Sequence, residues 1–238
     1  MLSRLLVKPK ASSEAEKPFW ISYADLMTAM MMLFLAVMAV TILAIAREAQ
    51  RVLSADEVRA NEIRQICRDI KSSLADERNI YVDCVDNRIS FGEVGTFAYN
   101  DYHLPAEAGP TLAALVPEVL RAANGELGRK WLKQIVIEGY TDRVGSYLSN
   151  LHLSLQRSEW VMCLMVDPAK NAALQLTEEQ TAQVRELFLA GGVSFNGLKD
   201  TEAESRRVEL RLQFYGLKEQ LGASRLQFSA TMAERCKL

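Results

Sequence analysis

The longest apolar stretch of the chain covers residues 21–46 and contains a single charged residue, Asp25. About 20 apolar residues are enough to cross a bilayer, so the pattern predicts a transmembrane helix over residues 20–46. A carboxylate inside such a helix costs about 2.5–3.5 kcal/mol on insertion scales. That cost predicts a partner, a pore or an ion for Asp25. The alternative is an acid near the helix start, which reaches the interface and is favoured there by the helix dipole.

The flanks of this stretch indicate a retained anchor. A cleaved signal peptide has an apolar core of only about 7–15 residues, although Ala44-Ile45-Ala46 is similar to a cleavage site. Basic residues lean toward the N-terminal side, which favours a cytoplasmic tail over residues 1–19 and a folded domain across the membrane. The flanking basic residues are Arg4, Lys8, Lys10 and Lys17 before the stretch and Arg47, Arg51 and Arg59 after it.

A juxtamembrane linker helix is predicted over residues 47–78. The sequence Ser-Ala-Asp-Glu at 54–57 has the S-x-x-E spacing of a capping box, which predicts a helix start there. Ile63, Ile66 and Ile70 follow at steps of three and four, the spacing of a coiled-coil seam. Two interpretations stay open: a dimer seam above the membrane, or an amphipathic helix that lies on its own domain.

Residues 79–216 show strand and helix periodicities in turn and predict one α+β domain. The predicted segments are a hairpin of 80–85 and 88–91, a helix over 105–123 that Pro110 or Pro117 kinks or breaks, a strand over 133–138 buried on both faces, a helix over 150–166 and a strand over 207–214. Residues 167–192 predict a helical insertion, capped at Thr177 and ended by Gly191-Gly192. Residues 217–238 predict a weakly helical tail. The order indicates a βαβαβ sandwich with helices on one face of a mixed sheet.

Charge, histidines and cysteines narrow the function classes. The net charge is −2 with both signs mixed along the chain, which gives no nucleic-acid footprint. Only His103 and His152 are available, and neither stands in a catalytic or metal-ligand arrangement, so neither an enzyme nor a cofactor or metal protein is predicted. The four cysteines allow three full pairings. Cys67 and Cys84, which flank one helix-to-strand connection, are the first choice for a bridge, and buried free thiols are the alternative.

Two motifs of the folded domain resemble the OmpA-like peptidoglycan-binding family. The sequence GYTDRVG at 139–145, followed by Asn150, Leu153-Ser154 and Arg157, is similar to the signature T-D-x-x-G…N-x-x-L-S-x-x-R. The sequence SRRVE at 205–209 is similar to a closing N-R-R-V-E element, with Ser in place of Asn. The resemblance implies an OmpA-like domain whose peptidoglycan-binding residues are Thr141, Asp142, Asn150, Leu153, Arg157, Arg206 and Arg207.

The chemistry of these residues suits the cell-wall stem peptide. Diaminopimelate ends in an ammonium and a carboxylate, so a site for it needs an anion and a planar cation. Asp142 is expected to take the ammonium and Arg157 the carboxylate, with Asn150 and Leu153 on the same helix face as Arg157. Of two neighbouring strand arginines only one can reach the site. The alternative is a turn residue at Asp142 and a surface salt bridge at Arg157, worth about 0–1 kcal/mol.

The apolar stretch itself resembles the membrane helix of MotB, the flagellar stator subunit, over residues 20–31, WISYADLMTAMM. The resemblance implies that Asp25 carries the ion, with Thr28 three residues later on the same face. It also implies protons as the ion, and a dimer inside a ring, expected to be pentameric, of polytopic MotA-like (ZorA-type) subunits. Because the linker is short, the chain resembles the MotB-like subunits of Zorya antiviral defence systems more than flagellar ones. A flagellar stator and a passive wall tether are the alternatives.

Overall fold

The computed structural model describes residues 17–219 and 235–238. They belong to two units, Met1–Ala55 and Asp56–Leu238. Residues 1–16 of the predicted N-terminal tail and residues 220–234 of the predicted C-terminal tail lie outside the described residues, whereas residues 17–19 are already part of helix α1. The first unit contains the start of helix α1, Lys17–Ser73. Within the part of the chain described, α1 is the one helix long and apolar enough to cross a membrane by length and composition.

Helix α1 does not begin at the predicted capping box. Residues on both sides of Ser54 are helical, and the Ser54 hydroxyl donates to the carbonyl oxygen of Arg51 at 2.9 Å. A serine inside a helix can bond the carbonyl of the preceding turn in this way. The expected start at residue 54 is therefore wrong, because good helix formers on both sides continue the helix through it.

The second unit is built on a five-stranded mixed sheet. Its elements are β1 Tyr81–Asp83, β2 Arg88–Ser90, a 3₁₀ turn at Gly92–Gly95, α2 Ala108–Asn124, α3 Glu126–Trp131, β3 Leu132–Tyr140, α4 Tyr147–Val166, α5 Glu178–Leu187, β4 Phe188–Ser194, α6 Glu202–Ser205 and β5 Val208–Phe214. The strand order is β1-β2-β5-β3-β4. Strands β3 and β4 are parallel, and the other neighbours are antiparallel. The α+β class and the mixed sheet are confirmed.

The hydrophobic core lies between one face of this sheet and the helices. Ile135 and Ile137 of β3 and Leu210 of β5 are fully buried there. On the opposite face Val136 is only half-buried, so the expected burial of this strand on both faces is wrong for its first half. The hairpin of β1 and β2 is confirmed, with Asn87 at φ 54° in its turn.

The three isoleucines of the predicted seam belong to this core. Ile63, Ile66 and Ile70 are at most 8% exposed and pack in one cluster with the sheet and α2. Glu62 on the same helix accepts hydrogen bonds from Lys130 at 2.6 Å and from the Trp131 indole at 2.5 Å. The dimer-seam interpretation is therefore wrong for these residues, because their apolar face is already covered by their own domain.

Neither Pro110 nor Pro117 breaks helix α2. Helix α2 runs unbroken through Pro117, and Pro110 lies in its first turn, where a missing backbone N–H leaves no intrahelical bond unmade.

Helix α4 begins at Tyr147, three residues before the predicted start. Its N-cap is Ser146, whose side chain accepts from the Ser149 backbone N–H.

The segment predicted as a helical insertion over residues 167–192 is helical only in its middle. The capping box at Thr177 is confirmed, with Gln180 as its partner. The helix ends at Leu187, and Phe188–Ser194 forms β4 beside β3. A Cβ on Gly192 would lie 2.6 Å from Ser154 Oγ. Gly192 therefore allows α4 to cross the strand closely, and neither Gly191 nor Gly192 caps a helix.

Two disulfides join distant parts of the second unit. The bridge between Cys67 and Cys84 links the end of α1 to the turn between β1 and β2. A second bridge, between Cys163 of α4 and Cys236, was not singled out from the sequence. The described residues contain no free cysteine.

Candidate functional site

The candidate site lies where β3 ends and three chain segments converge. Backbone hydrogen bonds join Tyr140 to Arg207 at 2.8 Å, Thr141 to Ser194 at 3.0 Å, and Phe97 to Arg206 at 2.7 Å. Strand pairing of β3 with β4 and β5 thus continues into the loops that follow the strands. These bonds hold three segments against the start of α4: the loop after β3, the loop over residues 96–103 and the segment before β5.

Asp142 is the acidic centre of this region. It is 4% exposed, and its Oδ1 accepts from the Val144 backbone N–H at 3.1 Å. Its Oδ2 accepts from Arg206 Nη1 at 3.0 Å. Asp142 therefore orders the turn of its own loop and is paired with a cation at the same time.

Arg157 is fully buried and is occupied by main-chain acceptors. Its Nε donates to the Asp101 carbonyl at 2.9 Å, its Nη1 to the Tyr140 carbonyl at 2.7 Å and its Nη2 to the Ala98 carbonyl at 3.2 Å. Burial lowers the pKa of this guanidinium to about 10, which leaves it charged at neutral pH. In this arrangement Arg157 fastens the loop over residues 98–101 to the end of β3 and presents no fork to a ligand.

The two arginines before β5 have different surroundings. Arg206 has 17% of its side chain exposed and donates from Nε to the Phe97 carbonyl at 3.1 Å, besides its contact with Asp142. Arg207 stacks on the Tyr140 ring at 4.1 Å and donates to Glu209 at 2.7 Å. Only Arg206 is brought to Asp142.

Two further predicted residues support the loop after β3. Asn150 is 4% exposed and donates from Nδ2 to the Val144 carbonyl at 2.9 Å. Gly145 adopts φ 102°, a conformation that side chains rarely tolerate. The Thr141 hydroxyl is buried and, within the described residues, has no hydrogen-bond partner. Leu153 lies half-buried on the adjacent face of α4.

A surface groove of about 560 Å³ runs along that face. Leu153 lines it, together with Asn100, Tyr102, Leu148, Ser149, His152 and Gln156. Sequence reasoning missed the contribution of the loop over residues 98–103. The run Tyr99-Asn100-Asp101-Tyr102 is its only local signal, an aromatic and polar cluster in a loop.

Behind the site, the open face of the sheet holds a buried polar network. Arg88 Nη1 donates to Glu138 at 2.6 Å, to Glu209 at 2.8 Å and to the Tyr140 hydroxyl at 2.8 Å. Burial opposes ionisation of Glu138, yet hydrogen bonds from Tyr140 and Arg88 hold the pKa of this carboxyl below its usual value. Burial and the bond to Glu138 together raise the pKa of Tyr140 to about 12. The network fixes the strand ends from which the site loops begin.

The membrane helix presents the second candidate site. Asp25 and Thr28 are both exposed on α1. The Thr28 hydroxyl donates to the main-chain carbonyl of Asp25 at 2.8 Å and not to its carboxylate. The Asp25 side chain is therefore the one charged group of this apolar segment and is free to meet a partner. Within residues 17–219 and 235–238, no cluster of acidic, His and Cys side chains is arranged to hold a metal ion.

The chain is similar to several known proteins. The family model described as membrane MotB of the proton-channel complex MotA/MotB matches residues 7–47. A MotB-like protein from Desulfovibrio vulgaris has 18% identity, with 67% of this chain and 96% of that chain covered and a TM-score of 0.43. The cell wall anchor of the T6SS from Pseudomonas aeruginosa has 19% identity, with 60% and 96% covered and a TM-score of 0.39.

The chain thus joins one candidate membrane span, in a region that matches the MotB family model, to an α+β domain. It is also 54% identical over 214 residues to the Zorya protein ZorB of Escherichia coli O139:H28 (strain E24377A / ETEC), which covers 90% of this chain and 87% of that protein. At that identity and coverage, the chain belongs to the ZorB family.

Proposed function

We propose that this chain is the ion-conducting, wall-anchored stator subunit of a MotA/MotB-like rotary motor that serves Zorya anti-phage defence. The observation that carries the proposal is Asp25, the one charged residue in the apolar stretch of α1. Membership of the ZorB family favours the defence role over flagellar motility. The protein spans the inner membrane once, with its N-terminus in the cytoplasm and its folded domain in the periplasm.

The ion is proposed to be a proton that Asp25 takes up and releases. The family model that matches residues 7–47 describes a subunit of a proton-channel complex, which supports this assignment. Protonation removes the charge of Asp25, so it changes which face of a surrounding partner the helix prefers. One charge that crosses 100 mV releases about 2.3 kcal/mol, enough for a few protons to drive a step. The partners are a MotA-like (ZorA-type) polytopic subunit, as a pentamer, around two copies of this chain.

The folded domain is proposed to hold peptidoglycan at Asp142. The ammonium of diaminopimelate pairs with Asp142, and its carboxylate pairs with Arg206, which faces Asp142 and is partly exposed. The ligand thereby replaces an existing ion pair with two new ones. Arg157, Asn150 and Thr141 shape the site, since Arg157 is fully buried and its nitrogens are engaged by main-chain carbonyls.

Replacement of Asp25 tests the motor. We expect Asp25→Asn to insert, to co-purify with the polytopic partner in a ratio of five to two, and to lose protection against phage in a plating assay. The matched control is Asp56→Asn, which removes an exposed carboxylate of the same helix outside the apolar segment. Full protection by Asp25→Asn would contradict the motor and favour a passive tether. Rescue of swimming in a strain without its own stator subunit would favour the flagellar role.

Replacement of Asp142 tests the wall anchor. We expect Asp142→Asn to keep the turn bond to Val144 but to weaken binding to purified sacculi by about 10–100-fold, since a charge-assisted hydrogen bond contributes about 1.5–3 kcal/mol. Arg206→Gln should weaken binding to a similar extent. Glu159→Gln, an exposed position on α4, is the control. Co-sedimentation measures binding, and an unchanged affinity of both site variants would refute this anchor site.

A further inference from the structure

We propose that the groove along α4 is a glycan subsite, which binds the amino-sugar backbone of the same peptidoglycan whose stem peptide reaches Asp142. The inference rests on the proposed wall-binding function and adds a second point of contact to it. The groove lies between the loop over residues 98–103 and the exposed face of the first half of α4. Its volume of about 560 Å³ falls within the range of small-ligand sites.

The charge of the lining decides which part of peptidoglycan fits. Among the described residues, no Asp, Glu, Lys or Arg lines the groove. If the ionised ends of the stem peptide entered the groove, they would lose their hydration without gaining a counter-charge, which costs free energy. The glycan strand is uncharged where its lactyl carboxyl is joined to the peptide. It therefore loses little on entering a neutral groove.

An aromatic ring in the groove is fixed in position. Tyr102 lies 4.2 Å from His103 and 6.1 Å from Trp160, measured between ring centroids. His103 in turn packs edge-on against Trp160 at 4.6 Å. The C–H face of a pyranose ring packs well on such a surface, because an aromatic side chain joins a broad apolar face to a polar tip. A ring that is already held by neighbours loses little conformational entropy on binding.

Free polar groups stand beside this ring. The side-chain amides of Asn100 and Gln156 make no hydrogen bond to any of the described residues, and both line the groove. A primary amide offers two donors and one acceptor, which match the hydroxyl and N-acetyl groups of amino sugars. The His152 ring adds a donor or acceptor on the α4 side, beside the Ser149 hydroxyl, which already shares a hydrogen bond with the Ser146 hydroxyl at 2.8 Å.

The groove and the Asp142 site share their supports. Arg157 bonds the carbonyl of Asp101, which lies between the groove residues Asn100 and Tyr102. Ser149, which lines the groove, directly precedes Asn150, which braces the loop of Asp142. The glycan and its attached stem peptide can therefore be held by adjacent parts of one surface.

The test compares two soluble probes on the purified full-length protein in detergent. One probe is the disaccharide tripeptide N-acetylglucosaminyl-N-acetylmuramyl-L-Ala-D-Glu-diaminopimelate, and the other is the same tripeptide without sugars. We expect the wild type to bind the sugar-bearing probe at least 10-fold more tightly by calorimetry. Tyr102→Ala and Gln156→Ala should abolish this difference and leave the affinity for the bare tripeptide unchanged, while Tyr102→Phe should retain the difference.

The control is Tyr99→Ala, which removes an exposed ring from the same loop outside the groove. It should bind both probes as the wild type does. Equal affinity of the wild type for the two probes would overturn the glycan subsite and leave the Asp142 anchor standing. If the wild type bound neither probe, both the Asp142 anchor and the glycan subsite would be overturned. A retained sugar preference in both groove variants would also overturn the proposal.

Discussion

Individual arginines in this domain differ in role although they lie close together. Arg157 is enclosed and bonds three carbonyls, Arg206 is partly exposed and pairs with the buried carboxylate of Asp142, and Arg207 stacks on an aromatic ring. The motif spacing grouped Asp142 with Asn150 and Arg206, and the fold brings these three residues together. The spacing could not distinguish a ligand-binding guanidinium from a structural one, because that difference depends on a loop, over residues 98–101, that is remote in sequence.

The pH dependence of stability should reveal the carboxylate network at Glu138. Its pKa is lower in the folded protein than the usual 4.5, so its contribution to stability is present above pH 4.5 and is lost as the pH falls through the folded value. We expect Glu138→Gln to cost about 1–3 kcal/mol at pH 7, because a buried charged hydrogen bond is removed. Denaturant unfolding monitored by tryptophan fluorescence at pH 7, 5, 4 and 3 measures this cost.

The difference in the free energy of unfolding between wild type and Glu138→Gln should shrink as the pH falls below 4.5. Glu93→Gln, at an exposed position, serves as the control and should follow the wild type at every pH. A constant gap between wild type and Glu138→Gln from pH 7 to pH 3 would contradict the proposed ionisation.

At the level of elements, strand β4 was the main error of prediction. Its sequence, Phe188–Ser194, contains two glycines and only short apolar runs, which suit the end of a helix as well as a strand. The parallel partner β3 makes it a strand, and a partner in space cannot be read from local periodicity. The capping box of α5 and the hairpin were predicted correctly from local signals, whereas the capping box at residues 54–57 was wrong because α1 runs through it.

The close crossing of α4 over the sheet can be tested at a single glycine. A Cβ at Gly139 would lie 2.1 Å from the Ser154 carbonyl oxygen, a main-chain atom that cannot move without the helix. We expect Gly139→Ala to destabilise the domain by about 2–4 kcal/mol and to weaken sacculus binding, because overpacking moves the start of α4. Thermal unfolding and co-sedimentation measure the two effects.

Gly191→Ala on the opposite face provides the comparison. Its Cβ would lie 3.2 Å from the side chain of Val136, which can adjust, and 3.8 Å from the Ile137 carbonyl oxygen, an ordinary van der Waals distance, so we expect a loss below about 1 kcal/mol. If the two variants were equally stable, the close crossing of α4 over β3 would not be what requires glycine at position 139.

For the whole molecule, the sequence predicted the order of anchor, linker helix and α+β domain. It left open whether Ile63, Ile66 and Ile70 face a second copy or their own domain, because both arrangements need the same apolar spacing. The fold resolves this, since the sheet and α2 bury all three. The sequence likewise left open whether Cys163 and Cys236 form a bridge or remain free thiols, because their separation of 73 residues carries no information about distance in space.

The bridge between Cys67 and Cys84 also has a mechanical consequence. The final turns of α1 are joined to the hairpin by a covalent bond as well as by packed isoleucines. Tension along these turns of α1 is therefore transmitted to the sheet through a covalent bond. Side-chain contacts alone would break one after another under the same load. If the domain holds the wall while the rotor pushes, the sulfur bridge keeps that helix attached under strain.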